Sequence, residues 1–407
     1  MKTSRTFRAA LLALLIGLVG LAGVAVARTR TATGKTAAVT VGPAGLRFYL
    51  PRHKLPKGGH GTLIWERPYH GLDALRGANN YLVLYTQVGI KGKLVGVSGV
   101  VSVPKGKVPK GGWPVVTFAH GTTGIADVCA PSRATSAKTG AGSSDLGYAP
   151  LLNGWIKDGY AVVRTDYEGL GTPGTHPYLI GRSEGYGVLD IVRAARQLDS
   201  SISKRVIISG HSQGGQAALW AASLAPKYTP DLHVLGTVAF APQSHTATEV
   251  SFLKSLSSSD LTGIAALILR GADVAYPSLH AGSLLTPAGA KLYPQTLTKC
   301  LTQLDSPTSF GGLALNKLVK PSANLTPLTK DVALNDPDNL KIKGPVLLEQ
   351  GLADTTVLPA LDQALSVSLA KAGDSVTYHT YPGATHSGVL KAAAADATAF
   401  LKKHFRR

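Results

Sequence analysis

Short apolar runs and stretches with helical spacing alternate along most of this chain of 407 residues. Apolar runs bounded by polar or glycine-bearing loops predict buried strands, and apolar positions three and four residues apart predict helices. Strands are predicted at 81–87, 94–103, 114–119, 160–165, 206–209, 234–241, 345–350 and 376–381. Helices are predicted at 183–198, 216–225 and 389–405. The first two strands indicate an antiparallel pair. The later alternation predicts an α/β fold with a mostly parallel sheet, covered by helices on both faces.

The stretch from about residue 243 to 343 interrupts this alternation. It contains segments with helical spacing and no convincing strand; the segments are 249–256, 261–269, 289–304 and 313–318. About a hundred residues without a strand are too many for an ordinary loop. The alternatives are a separate domain and a helical cap inserted into the core, and the immediate return to a core strand at Pro345 favours the insertion. The predicted organisation is an α/β core at 28–243 and 344–407, with a helical cap or lid at 244–343.

The first 27 residues have the pattern of an export signal. An uncharged apolar run at 9–27 ends in Ala25-Val26-Ala27, which matches a cleavage site. The basic residues ahead of this run are Lys2, Arg5 and Arg8. The alternative is an uncleaved membrane anchor, since the run nearly spans a bilayer. The small residues and the Ala-x-Ala ending favour a cleaved signal peptide and a secreted, extracellular protein. Residues 28–60, rich in Thr, Gly, Pro and basic residues, predict an arm along the surface.

The chain is strongly basic, with 42 Lys and Arg against 23 Asp and Glu and a formal net charge of +19. Such an excess raises the question of nucleic acid binding. However, the lysines are scattered among Gly and Pro, as in Lys105-Gly106-Lys107, and no aromatic residues alternate with a basic stripe. This pattern argues against nucleic acid. The charge instead favours attraction to anionic surfaces or to acidic products.

The chain has two cysteines, Cys129 and Cys300. Because an exported chain meets oxidising conditions, we expect them to form one disulfide. Two cysteines so far apart in sequence do not indicate a metal site, and neither has the surroundings of a catalytic thiol. Cys129 follows the strand predicted at 114–119 and Cys300 lies in the predicted cap, so the bond would tether the cap to the core.

Residues 210–214, Gly-His-Ser-Gln-Gly, match the G-x-S-x-G pattern of a nucleophile elbow. Ser212 follows a predicted buried strand and precedes a predicted helix, which is the context that this pattern requires. The glycines allow a tight turn, and the helix N-terminus directs free N–H groups at a developing oxyanion. The alternative is an ordinary glycine turn, but the context favours Ser212 as a nucleophile.

A serine nucleophile needs a base, and the base needs an acid that orients it. On this kind of sheet, the acid and then the histidine follow the serine along the chain. Asp354 lies in the loop after the strand at 345–350, and His386 lies in the loop after the strand at 376–381. The competing residues lie before or within a strand; they are Asp331, Asp336, Asp338 and His379. The sequence therefore predicts a triad of Ser212, Asp354 and His386.

Two backbone N–H groups are expected to stabilise the oxyanion. One belongs to Gln213, which follows the nucleophile. The other belongs to the loop His120-Gly121-Thr122-Thr123-Gly124 after the strand at 114–119. Within that loop, Thr122 is the first choice and Thr123 the second, and the alternative is a plain glycine turn.

The loop Asp166-Tyr167-Glu168-Gly169 also follows a predicted core strand. Its position predicts that it reaches the rim of the pocket. Tyr167 and Glu168 therefore either line the pocket or brace the loop.

Five stretches resemble the α/β-hydrolase superfamily and, more narrowly, the secretory lipase family of fungi and actinobacteria. They are GWPVVTFAHGTTGIADVCAPS, VVRTDYEGLGTPGTHPYL, GHSQGGQAALWAA, GLADTTV and PGATHSG. The resemblance covers most of the mature chain, and the elbow and the Asp-Tyr loop are its more specific parts. It implies a serine carboxylic-ester hydrolase with a helical lid, in which Ser212, Asp354 and His386 are nucleophile, orienting acid and general base. It also implies that no metal or organic cofactor is required.

The leading hypothesis is a lipase or esterase that acts on a lipid or small-molecule ester, with contact to a lipid interface or an anionic surface. Two other hypotheses stay open. One is an acyltransferase, or an esterase of aromatic esters or acetylated sugars, because an acyl-enzyme reacts with any nucleophile. The other is a noncatalytic surface-binding or adhesion protein that keeps the fold, against which the intact Ser, Asp and His argue. Apolar stretches at 264–269 and 313–318 suit an acyl-chain site or simple helix packing.

Overall fold

The computed structural model describes residues 39–51, 55–135 and 147–406. The predicted signal peptide and the first part of the predicted arm lie outside the described residues. Within those ranges, no helix combines the length and the apolar character needed to cross a membrane.

The described residues form one nine-stranded sheet in the order β1-β2-β3-β5-β4-β6-β7-β8-β9. The strands are β1 Leu63–Pro68, β2 Ala78–Val88, β3 Leu94–Pro104, β4 Trp113–Ala119, β5 Ala161–Thr165, β6 Ile202–His211, β7 His233–Phe240, β8 Pro345–Gly351 and β9 Ser375–Tyr381. Strands β1, β2, β3 and β5 pair antiparallel in that order, and β5, β4, β6, β7, β8 and β9 pair parallel. Each predicted strand is present, and the mostly parallel sheet confirms the predicted α/β-hydrolase fold class.

Helices cover both faces of the sheet and fill the segment between β7 and β8. They are α1 Ala149–Lys157, α2 Gly181–Leu198, α3 Gln213–Tyr228, α4 Thr246–Ser251, α5 Thr262–Ala275, α6 Pro287–Leu292, α7 Leu301–Leu304, α8 Thr326–Ala333, α9 Pro359–Lys371, α10 Val389–Ala392 and α11 Ala394–Phe405. The helix predicted at 389–405 is divided into α10 and α11. Helices α1, α8 and α9 were not predicted.

Burial on both faces explains why the central strands are continuously apolar. Val206 and Ile208 of β6 pack in one core cluster with residues of α2 and α3. Ile207, which lies between them, packs in a second cluster with residues of α1 and α11. All three side chains are fully buried, so neither face of β6 has a polar position at its centre.

The segment at 244–343 contains helices α4 to α8 and several 3-10 turns, and it contributes no strand to the sheet. Because β7 pairs directly with β8, the segment leaves the sheet and returns to the neighbouring strand position. Its apolar residues form a core cluster of their own. The predicted helix at 261–269 corresponds to α5, whereas the prediction at 249–256 shares only residues 249–251 with α4 and continues into turns. The prediction at 289–304 corresponds to α6, a 3-10 turn and α7, whereas 313–318 contains only a short 3-10 turn.

Candidate active site

The G-x-S-x-G sequence forms a sharp turn between β6 and α3. Ser212 has φ 58°, a left-handed conformation that is rare for a residue with a side chain. Its N–H donates to the Phe240 carbonyl at 2.9 Å, and its carbonyl accepts from the N–H of Gln243 at 3.0 Å. A Cβ at Gly210 would collide with the Gly214 carbonyl, and a Cβ at Gly214 would collide with β4. The two glycines therefore permit the turn that exposes the serine at the strand end.

Asp354 and His386 meet beside this turn, although 32 residues separate them in sequence. Nδ1 of His386 lies 2.7 Å from Oδ2 of Asp354. The other carboxylate oxygen of Asp354 accepts from the N–H groups of Thr356 at 2.8 Å and Val357 at 3.0 Å. Burial by itself would raise the pKa of Asp354, but the hydrogen bond and charge of His386 and the two N–H groups together lower it. The carboxylate is thus ionised at neutral pH and holds the proton of His386 on Nδ1.

Ser212 lies next in sequence to His211, whose ring centre is 4.6 Å from that of His386. Nε2 of His211 also lies 2.9 Å from the His386 carbonyl oxygen. Among the described residues, the Ser212 hydroxyl has no hydrogen-bond partner. Hydrogen bonds of a catalytic serine are often long without substrate and shorten only in the complex. The structure therefore brings the acid and the base into contact and places the predicted nucleophile next to them.

The competing acids and histidine have other contacts. Asp336 accepts from the N–H groups of Thr246 and Ala247 at the start of α4. His379 lies on the edge strand β9, half-exposed, with Nδ1 3.6 Å from Asp396. Asp336 thus caps the start of α4, and His379 lies at the surface.

The loop after β4 carries the second predicted oxyanion donor. Thr122 is held by a 2.7 Å hydrogen bond between its hydroxyl and that of Tyr178. In the described part of the chain, no hydrogen bond uses the backbone N–H of Thr122 or of Gln213. Gln213 is the first residue of α3, where N–H groups lack partners inside the helix. Both N–H groups are therefore available to an oxyanion.

The side chain of Gln213 is fixed by a buried network that the sequence did not reveal. Its amide nitrogen donates to Glu184 at 2.8 Å and to Nε2 of His176 at 2.9 Å. His176 uses Nδ1 to donate to the Glu168 carbonyl at 2.9 Å, which leaves Nε2 as the acceptor. Burial raises the pKa of Glu184 to about 8 and lowers that of His176 to about 3. Both groups are thus uncharged at neutral pH, because a charge on a fully buried side chain without an ionic partner is costly.

Tyr167 and Glu168 make bracing contacts. Tyr167 is fully buried at φ 73° and donates its hydroxyl to the His120 carbonyl at 2.8 Å. Glu168 accepts from the N–H of Ile90 at 3.0 Å and from the Ser183 hydroxyl at 2.5 Å. These contacts favour the bracing role for the loop over the predicted pocket role.

A disulfide joins Cys129, just after the oxyanion loop, to Cys300 in the 244–343 segment. Next to it, the N–H of Leu301 donates to the Thr123 carbonyl at 2.9 Å. The segment is thus attached to the oxyanion loop by a covalent bond and a hydrogen bond.

An apolar cavity of about 370 Å³ lies between the 244–343 segment and the loop after Asp354. Its lining does not include Ser212, Asp354 or His386, but it includes Gln243, whose N–H donates to the Ser212 carbonyl, and Thr355 and Thr356, which follow Asp354. The apolar lining residues include Val250, Leu253, Leu256, Ile264, Ile268 and Leu361. Glu249 also lines the cavity, and burial raises its pKa to about 7. The cavity is therefore largely apolar, with two acidic residues, Glu249 and Asp260, in its lining.

The buried titrating groups predict a stability maximum in mildly acidic solution. Burial raises the pKa of three glutamates, which are Glu184 (about 8), Glu249 (about 7) and Glu349 (about 9). Their ordinary value is 4.5, so folding retains protons that the unfolded chain loses, and stability falls as pH rises from 4.5 towards 9. Burial lowers the pKa of three histidines, which are His120 (about 4), His176 (about 3) and His211 (about 3). Their ordinary value is 6.5, so stability falls as pH decreases from 6.5.

We expect the thermal midpoint to be highest between about pH 4.5 and 6.5 and to fall on both sides. Differential scanning calorimetry from pH 3 to 9 would measure it. The matched variant is Glu184→Gln, which stays uncharged at every pH and should lose less stability than the wild type above pH 7. A midpoint that rises steadily from pH 6 to 9 would contradict this prediction.

A model of the Secretory lipase family matches residues 148–407 of the chain. A secreted triacylglycerol lipase of Malassezia globosa, LIP5, is 25% identical over 363 residues, which are 83% of this chain and 72% of the relative. A probable inactive lipase of Mycobacterium tuberculosis is 27% identical over 321 residues, 73% of this chain and 67% of the relative. Lipase A of Moesziomyces aphidis is 32% identical over 136 residues, 32% of this chain, and the match spans only 27% of that relative's length.

A solved structure supports the same fold. Candida antarctica lipase A in its closed state superposes with a TM-score of 0.72 at 21% identity and covers 86% of this chain and 83% of its own. The matched residues, 148–407, are more than half of the chain, and Ser212, Asp354 and His386 lie within that range. The chain belongs to the secretory lipase family.

Proposed function

We propose that the chain is a secreted serine hydrolase of carboxylic esters, a lipase or esterase with Ser212 as nucleophile, His386 as general base and Asp354 as the orienting acid. The observation that carries this proposal is the 2.7 Å bond between His386 and Asp354 beside the serine turn. A structural turn would need neither an ionised acid nor a histidine oriented by it. This combination is what serine nucleophiles require.

The proposed reaction has two halves. Nε2 of His386 accepts the Ser212 proton as the serine oxygen attacks the ester carbonyl, and the histidine then gives that proton to the departing alcohol. Water attacks the acyl-serine in the second half, again with His386 as base, and releases the acid. Asp354 remains ionised throughout and stabilises the imidazolium that forms in each half.

The two free N–H groups of Gln213 and Thr122 would bind the oxyanion in both halves. Such donors act at the atom where charge develops, so they favour the transition state over the bound ester. The disulfide and the Leu301 hydrogen bond hold the Thr122 loop against the 244–343 segment. We infer that this segment is a lid or cap over the site.

The apolar cavity favours an ester with a long acyl chain. Phe252, Leu256 and Leu358 line the cavity and are 50%, 47% and 52% exposed. Exposed apolar side chains therefore surround the opening of the cavity. Apolar groups at the mouth of an apolar cavity suit contact with a lipid surface. We therefore propose a lipid ester as substrate.

A bulky residue in the cavity should discriminate against long acyl chains. Ile264→Trp, on the half-buried cavity side of α5, should lower kcat/KM for p-nitrophenyl palmitate by about tenfold or more, with p-nitrophenyl butyrate within about twofold of wild type. The control is Leu297→Trp, at an exposed apolar position in the same segment that does not line the cavity. Equal losses on both esters would place the acyl chain elsewhere.

The proposed acyl-enzyme is tested by product partitioning. p-Nitrophenyl butyrate and 4-methylumbelliferyl butyrate are hydrolysed in the presence of methanol, and butyric acid and methyl butyrate are measured. A shared acyl-serine predicts one ratio of acid to methyl ester for both substrates. Ratios that differ between the two esters would contradict the acyl-enzyme, and strong preference for the alcohol would favour the acyltransferase alternative. An absence of turnover would favour a noncatalytic role. The Mycobacterium tuberculosis relative is itself named a probable inactive lipase.

The proposed secretion is tested at the N-terminus of the mature protein. The family and the Malassezia globosa relative are described as secretory and secreted. If the chain is cleaved after Ala27 as predicted, Edman sequencing of the protein from the culture medium should begin at Arg28. A chain that is retained in the membrane fraction with residues 1–27 attached would favour the anchor instead.

A further inference from the structure

His211 has a place in this site that the reaction described above does not use. It is the last residue of β6, it directly precedes Ser212, and it is 4% exposed. Its side chain makes two hydrogen bonds to other loops of the site. One reaches the loop that carries His386, and the other reaches Tyr148, directly before α1, and through its hydroxyl the oxyanion loop.

The first bond fixes the main chain of the base. Nε2 of His211 lies 2.9 Å from the His386 carbonyl oxygen. A carbonyl oxygen only accepts, so Nε2 carries the proton and donates it. Since Ser212 is bonded to His211 in the chain, this contact sets the distance between the serine and the main chain of His386.

The second bond follows from the first. With its proton on Nε2, His211 presents Nδ1 as an acceptor, and the Tyr148 hydroxyl lies 3.2 Å from it. The Tyr148 oxygen in turn accepts from the N–H of Gly121 at 2.9 Å. Gly121 directly precedes Thr122, the proposed oxyanion donor. Each of these hydrogen bonds therefore has one possible direction. Gly121 donates to Tyr148, Tyr148 donates to His211, and His211 donates to His386.

These hydrogen bonds require a neutral His211, although the neighbouring His386 becomes protonated during the proposed reaction. Burial first, and the nearby His386 second, lower the pKa of His211 to about 3. His211 therefore keeps one proton, on Nε2, across the pH range in which an ester hydrolase with a histidine base operates.

We propose that His211 is a positioning residue, which holds the base loop and the oxyanion loop at fixed distances from Ser212. The inference rests on the proposed function, because it assigns His386, Ser212 and Thr122 the roles given above. Small displacements matter here, since a shift of about 1 Å in a reacting group can lower a rate by about a hundredfold. A purely structural role would instead predict a loss of stability without a specific loss of turnover.

Three replacements of His211 separate these roles in the full chain. His211→Phe keeps an aromatic ring and removes both hydrogen bonds. His211→Gln places an amide nitrogen near the position of Nε2 and can donate to the His386 carbonyl. His211→Asn places its polar atoms near Nδ1 and can bond only the Tyr148 hydroxyl.

We expect His211→Phe to lower kcat for p-nitrophenyl butyrate by about 10- to 100-fold with KM within about twofold. His211→Gln should recover most of kcat, and His211→Asn should recover less, because the bond to the base is the more direct one. Each thermal midpoint is measured beside the rates. The proposal is overturned if His211→Phe melts cooperatively and keeps kcat within about twofold of wild type, or if His211→Gln loses as much as His211→Phe.

Two further measurements cover the remaining outcomes. If His211→Phe does not fold, Tyr148→Phe removes the hydroxyl that bonds both Nδ1 of His211 and the N–H of Gly121. It should lower kcat by several-fold at unchanged KM, and an unchanged kcat would overturn the link to the oxyanion loop. Ser212→Ala is assayed in parallel. Wild-type turnover that survives in Ser212→Ala overturns the proposed function itself, whereas turnover that needs Ser212 but not His211 overturns only the positioning role.

Discussion

Replacement of Ser212 by alanine should lower kcat for p-nitrophenyl butyrate by about a million-fold, to the background rate of the assay. The change removes the only atom that we propose forms a bond to the acyl group. It leaves the fold intact, because the turn at Ser212 is held by its main-chain bonds to Phe240 and Gln243. Initial rates with and without enzyme, together with the thermal midpoint, measure both parts of this expectation.

The matched control for that variant is Ser209→Ala. Ser209 lies on β6, three residues before Ser212, is fully buried, and its hydroxyl has no hydrogen-bond partner within the described ranges. Its removal should change kcat by less than about twofold, since no contact is lost. If Ser212→Ala retained more than a small fraction of wild-type activity, the serine would not be the nucleophile.

Replacement of Asp354 by asparagine should lower kcat by about ten-thousandfold, with little change in KM. An asparagine amide that donates to Nδ1 of His386 would place the imidazole proton on Nε2, where it prevents His386 from accepting the Ser212 proton. The size of the effect depends on the ionised state of Asp354, whose pKa is lowered by His386 and by the N–H groups of Thr356 and Val357 despite its burial. Steady-state kinetics with the same ester measures it.

Asp362→Asn is the control for Asp354→Asn. Asp362 on α9 is fully buried and its carboxyl is within electrostatic reach of Asp354. Burial first, and Asp354 second, raise the pKa of Asp362 well above its usual range, which favours the neutral form of the carboxyl. Asparagine resembles that neutral form, and kcat should stay within about threefold of wild type. Equal losses in both variants would mean that Asp354 has no special relation to His386.

The central strands, and the loop positions of the three residues proposed as a triad, could be predicted because their signals are local. A strand buried on both faces is apolar throughout, and the residues after His211, Gly351 and Tyr381 leave parallel strands at the same edge of the sheet. Strand β1 was missed because Glu66, Arg67 and Pro68 obscure its apolar pattern at the sheet edge. Its pairing with β2 depends on that neighbour and not on its own sequence.

The buried polar partners of the site could not be predicted from local patterns. Glu184 lies in the first turn of α2, where an acid is ordinary, and only the fold brings it to Gln213. Tyr148 reaches His211 across 63 residues. In the 244–343 segment, apolar spacing gave α5 and the end of α4 but not α8, and it gave a helix at 313–318 where the chain makes only a 3-10 turn. Apolar residues there pack into a cluster without following a regular helix.

The central claim is that Ser212, His386 and Asp354 act together on an ester carbonyl. A crystal structure of the protein after reaction with an alkyl p-nitrophenyl phosphonate tests it most directly, because the phosphonate resembles the tetrahedral intermediate. The account predicts phosphorus bonded to Ser212 Oγ, the phosphonyl oxygen within hydrogen-bond distance of the N–H groups of Gln213 and Thr122, and His386 Nε2 within about 3.2 Å of the serine oxygen. Phosphorus on another residue, or His386 beyond hydrogen-bond reach of Ser212, would contradict it.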